Sequence, residues 1–205
     1  LAAETGSTQV ATLFAQTLVT ICQGELRQML SLYQWRGGRD DYYERIYSKT
    51  ASLFAASCEA GAILGGAPEE GVCALRNYGR HLGMAFQIAD DILDFSGSED
   101  HLGKPTGADL RQGIATLPIY HFLQNGGSEA LVEAALDRSC EAQARREQAL
   151  QALGAAVAAS PAIEACRQEA ARFAQQAVAD LALWPDGPYR HALRELAQFV
   201  VARDA

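Results

Sequence analysis

Apolar residues recur at the helical period through nearly the whole 205-residue chain, and no stretch keeps the two-residue alternation of a half-buried strand. That pattern restricts the fold to helices packed on helices. Helix one is expected from about Ser7 to Trp35, stopped by Arg36-Gly37-Gly38. Helix two is expected from Asp40, as its cap, to Gly65-Gly66, and helix three from near Pro68 to Phe95. A long polar loop, GSEDHLGKPTGA, spans residues 97–108. Shorter helices follow from Thr116 to Asn125 and after Ser128, then a long Ala-rich one from Ser160-Pro161 to Trp184-Pro185 and a last one from Pro188 to Arg203. There are no repeats and no linker, so residues 1–205 read as a single all-α domain.

The third of these helices carries the chemical question. In FQIADDILDF, Asp90, Asp91 and Asp94 share one stripe of a helix whose other faces are apolar. Like charges at that spacing repel by roughly 0.2–0.5 kcal/mol even in water. An unpaired buried carboxylate costs several kcal/mol. The stripe is therefore either a solvated acidic face or a place where a cation is held. Carboxylates without neighbouring His or Cys suit a hard cation such as Mg²⁺, which keeps waters and is completed by substrate phosphates. Lys49, in an otherwise apolar and hydroxyl-bearing segment, and Lys104, in LGKP, either snorkel or meet an anion. Acids, metal and lysines together are what a diphosphate requires.

Other chemistries lack their residues. None of the four His has Glu three positions earlier, as a di-iron bundle needs. No close Cys/His spacing suits zinc, and no G-x-S-x-G elbow is present. A net charge of −8 leaves no basic stripe for nucleic acid. The five cysteines form no C-x-x-C and are expected to be reduced and buried, which points to the cytoplasm. The longest uncharged run, Thr5 to Gly24, holds three Gln and five Thr and makes a poor membrane span. The chain opens on Leu1 rather than Met, so it is expected to be part of something longer.

These motifs, in this order, resemble the trans-isoprenyl diphosphate synthases, or polyprenyl synthetases. The matching segments are GEL at Gly24 to Leu26, KTASLF at Lys49 to Phe54, and GMAFQIADDILDF at Gly83 to Phe95. LGKPTGADLRQG at Leu102 to Gly113 and TLPIY at Thr116 to Tyr120 complete the set. The resemblance spans roughly residues 4–125 closely and the remainder loosely. It implies a bundle of mostly antiparallel helices around a central active-site cavity, formed here by about the C-terminal two-thirds of the family's domain. It also implies roles. Asp90, Asp91 and Asp94 look like the second aspartate-rich motif, which binds Mg²⁺ carrying an allylic diphosphate, with Asp90 the foremost ligand. Lys49 and Lys104 resemble the lysines that grip that diphosphate, and Thr50 and Gln87 its polar neighbours. Asp109 matches a further acidic position. The reaction implied joins isopentenyl diphosphate to the allylic diphosphate, and the partner implied is a second copy of the chain, through helix one.

Two departures stand out. Ile114 replaces a lysine common in the family, and the first aspartate-rich motif is expected upstream of Leu1. A chain without that motif would be inactive alone, or would serve as a non-catalytic subunit of a heteromeric synthase. A class I terpene cyclase shares the metal logic but fits KTASLF and LGKP poorly.

Overall fold

The computed structural model describes residues 2–96, 107–139 and 143–203. Every regular element among them is helical. Helix α1, Thr8–Leu30, starts where the Ser7 hydroxyl accepts from the Val10 amide at 3.2 Å. It ends five residues before the expected stop. The chain turns at Tyr33, a non-glycine residue with φ of 64°, whose amide donates to the Gly113 carbonyl at 2.7 Å.

The second expected helix is a rod in three pieces. Helix α2 covers Gly38–Ile46, a π-helical turn covers Tyr47–Ala51, and helix α3 covers Ser52–Leu64. Asp40 and Asp41 lie in the first turn of α2, where they complement the helix dipole, and Gly37 takes the cap position. The π turn holds Lys49 and Thr50, the residues singled out above. Such turns often sit at functional sites. Its backbone is approached closely from two sides. A Cβ on Gly24 of α1 would lie 2.8 Å from the Ser48 Cβ. One on Gly83 would lie 2.6 Å from the Ala51 Cα.

Gly83 belongs to α4, Glu69–Ser96, a 28-residue helix about 42 Å long. It is the axis of the molecule. Ile88, Ala89 and Ile92 on it are fully buried. Beyond it come a short helix α5, Ala108–Arg111; α6, Leu117–Gln124; α7, Glu129–Leu136; and α8, Gln143–Ala158. Helix α9, Ala162–Asp180, runs on into a 3₁₀ turn, and α10, Pro188–Ala202, closes the described chain. Helix α4 packs most extensively on α3 and α9. Its C-terminal half lies in one apolar core with α2, α6, α7 and α8. Its N-terminal half forms a second core with α9 and α10 around Tyr78 and Leu82.

The expected state of the cysteines needs correction. Cys166 is buried, but Cys22 is exposed on α1, and Cys58 and Cys73 are half-buried. All four are free. No single helix among the described residues is long and apolar enough to cross a membrane.

Candidate active site

The expected single acidic face on α4 is divided. Asp90 is exposed and makes no hydrogen bond or ion pair to a described residue. Asp91, one position on, is only 3% exposed. Asp94 is half-buried, and its carboxylate accepts from the amides of Ala108 at 2.9 Å and Asp109 at 3.2 Å, so it anchors the start of α5. The division arises because the helix sits against α2 on one flank and against α5 beyond its end, which a helical wheel drawn on the sequence cannot register.

Asp91 ends a chain of hydrogen bonds that begins on the π turn. The Thr50 hydroxyl donates to Gln87 Oε1 at 2.7 Å, and Gln87 Nε2 donates to Asp91 Oδ1 at 2.9 Å. The fully buried Tyr42 hydroxyl donates to the other Asp91 oxygen at 2.7 Å. The chain fixes which end of the Gln87 amide faces each neighbour, since one end must accept and the other donate. Both Asp91 oxygens are thus engaged by protein donors. Burial pushes the Asp91 carboxyl up to about 7, against the opposing pull of the Gln87 and Tyr42 bonds. Burial, with the charges of Asp94 and Asp90, also raises Asp109 to about 6.

Lys49, Thr50, Gln87, Asp91 and Asp109 line one small cavity of about 70 Å³, with Arg45, Ile114 and Thr116. Its size suits a single phosphate group. The structure therefore brings together three of the four sequence-predicted substrate contacts; Lys104 lies outside the described residues. Lys49 Nζ reaches Glu25 Oε1 and Gln28 Oε1, each at 3.3 Å. Both ion-pair partners are well exposed, and such a pair is worth about 1 kcal/mol or less. An incoming anion can displace it at little cost. Arg45 was not singled out from the sequence. It reads there as one of several charges on a polar helix, and only burial against α6 marks it out.

Among the described residues, no three Asp, Glu, His or Cys side chains converge to chelate one ion. The donor set still fits a hard cation held by one or two carboxylates and finished by waters and phosphate. Asp90 offers two uncommitted oxygens for that purpose.

A family model for polyprenyl synthetases matches residues 1–153. The chain belongs to the polyprenyl synthetase family. It is 38% identical over 202 residues to heptaprenyl diphosphate synthase component 2 of Geobacillus stearothermophilus, covering 98% of this chain and 61% of that one. It is 36% identical over 199 residues to octaprenyl diphosphate synthase of Escherichia coli K12, covering 97% and 61%. A polyprenyl synthase from Caulobacter crescentus, crystallised with calcium and isoprenyl diphosphate, superposes with a TM-score of 0.89 at 37% identity. That superposition covers 99% of this chain and 61% of the other. The chain thus spans about three-fifths of the length of these relatives, and it shares the isoprenoid synthase fold.

Proposed function

We propose that this chain forms one side of the active site of a trans-polyprenyl diphosphate synthase, which adds isopentenyl diphosphate to an allylic diphosphate. The observation that carries the reading is the convergence of Lys49, Thr50, Gln87 and Asp91 on one polar cavity beside the uncommitted Asp90. Mg²⁺, when bound, neutralises charge on the departing diphosphate. Lys49 exchanges its surface partners for diphosphate oxygens. The Thr50 and Gln87 dipoles, held by Asp91, are oriented before substrate arrives and need no reorganisation during ionisation. Ile46 and Ile114, the apolar members of the cavity wall, keep water from the allylic cation.

The other side of the site, in this reading, comes from a first aspartate-rich motif upstream of Leu1, and residues 1–205 are the C-terminal part of a single catalytic domain in a cytoplasmic enzyme. Helix α1 presents Phe14, Leu18, Val19, Leu26 and Met29 outward, all exposed. An apolar face of that extent calls for a partner, and we assign it to a homodimer. Sedimentation of the full-length protein at micromolar concentration tests this; a monomer refutes it.

The activity is tested by incorporation of labelled isopentenyl diphosphate onto farnesyl diphosphate with Mg²⁺. The full-length protein should turn over and the 205-residue chain should not. In the full-length protein, Lys49→Gln should weaken allylic substrate binding while Mg²⁺ dependence is kept. No turnover by the full-length protein alone, together with a raised rate when it is added to a complete synthase over that synthase's own rate, would identify a non-catalytic subunit instead.

A further inference from the structure

At the inner end of the same cavity the structure holds polar groups that the proposed reaction has not used. Arg45, on α2, is 9% exposed. Its guanidinium has five N–H donors. One nitrogen donates to the Ala115 carbonyl. It lies over the Tyr42 ring, 5.6 Å from the centroid. It forms no ion pair within 4.0 Å and no further hydrogen bond among the described residues, although Asp91 and Asp109 line the same cavity. Arg45 is therefore not the salt-bridge partner of either acid. None of its nitrogens is a buried atom without a partner, so its remaining donors open onto the cavity rather than into the core.

Thr116, at the start of α6, is the second observation. It is 3% exposed, lines the cavity, and its hydroxyl has no hydrogen-bond partner among the described residues. An unmet buried hydroxyl costs about as much as the lost hydrogen bond. Ile114, two residues earlier on the same wall, adds neither charge nor donor. The two unspent groups come from α2 and α6 and meet the cavity independently. A tetrahedral oxyanion satisfies both: the guanidinium pairs with two of its oxygens, and the rotatable hydroxyl donates to a third.

We infer that Arg45 and Thr116 form an inner oxyanion subsite that binds one phosphate group of the diphosphate, deeper than Lys49. The inference rests on the diphosphate reading above. Arg45 and Thr116 bind and position the leaving group; neither transfers a proton.

The test is calorimetric titration of inorganic diphosphate with Mg²⁺ into the full-length protein and three variants. Thr116→Val keeps shape and removes an unpartnered hydroxyl. It should lower diphosphate affinity about tenfold, one hydrogen bond to a charged group, without lowering the ligand-free melting temperature. Arg45→Gln should lower affinity by roughly 10- to 100-fold on the same scale. Parental affinity in Thr116→Val overturns the subsite, and so does an affinity loss that comes with a lower ligand-free melting temperature. If Arg45→Gln does not fold, Thr116→Val decides alone. Lys49→Gln separates the two readings. Weakened binding there beside parental binding in Thr116→Val removes only the inner subsite, whereas parental binding in Lys49→Gln removes the diphosphate reading itself.

Discussion

Helix α2 carries a charged cluster on each of two flanks, and they are opposites. On one flank Glu169 of α9 is surrounded. Arg39 donates to it at 2.6 Å, His121 Nε2 lies at 3.1 Å, and the Tyr43 hydroxyl donates to it as well. On the other flank Arg45, Asp91 and Asp109 share a cavity without a direct ion pair among them. Burial acts on both sets of acids, but with different outcomes. The His121 and Tyr43 bonds and the Arg39 charge overcome the burial of Glu169 and pull its carboxyl down to about 2. Asp91 and Asp109 stay raised, at about 7 and 6. A cluster that satisfies itself locks α2, α6 and α9 together and has nothing left to offer a ligand. A cluster without an ion pair of its own leaves the Arg45 guanidinium open to charge from outside. The contrast separates structural charge from functional charge by hydrogen-bond bookkeeping, where sequence sees only Arg, Asp and Glu.

Four measurements can break or sharpen that contrast. The largest effect is expected at Asp90. In the full-length protein Asp90→Ala should lower Mg²⁺-dependent turnover by about 10²-fold or more, the scale of losing one charge-stabilising group. Its melting temperature should hold, because an exposed residue without partners contributes within about 0.5 kcal/mol. Equal turnover of variant and parent removes Asp90 from the site.

Glu169→Ala inverts that signature. It strands Arg39, Tyr43 and His121 and should cost roughly 3 kcal/mol by chemical denaturation, near the lower end for breaking a buried pair. Diphosphate affinity of the folded variant should stay parental. A tenfold loss of affinity would show that the two flanks are coupled.

The same glutamate predicts an acid limb. Its carboxyl falls from the usual 4.5 to about 2 on folding, so the unfolded chain binds more protons between those values. The stabilisation is whole above pH 4.5 and is lost as pH falls toward 2, on the order of 3 kcal/mol. Glu169→Gln should flatten that part of the stability–pH curve; an unchanged limb contradicts the assignment.

Tyr42→Phe is the smallest test. It removes one of the two donors that hold Asp91 and should cost about 1.5 kcal/mol, the lower range for a bond to a charged group. No loss of stability would mean that Asp91 is held by Gln87 alone.

Much of this was legible in the sequence. The Ser7 and Ser128 caps and the Pro118 start of α6 appear where cap chemistry and periodicity put them. So does the association of Lys49, Thr50 and Gln87, through the ordered motifs. These features are local, or are carried by residue types whose chemistry admits few alternatives.

What the sequence could not decide depends on contacts between distant segments. Trp35 falls outside α1 because Gly113, 80 positions beyond Tyr33, supplies the carbonyl that pins the turn at Tyr33. The π turn inside the second rod carries no periodic signal and is met on both sides by Gly24 and Gly83, from helices before and after it. Three aspartates that are equivalent on a helical wheel become exposed, buried and capping because α4 borders different neighbours at each. Helical period and the order of the motifs determined the fold class and the family, since both are properties of short stretches. Which charge is spent and which is held in reserve was decided only by tertiary structure, because burial and hydrogen-bond partners belong to pairs of segments and not to either one.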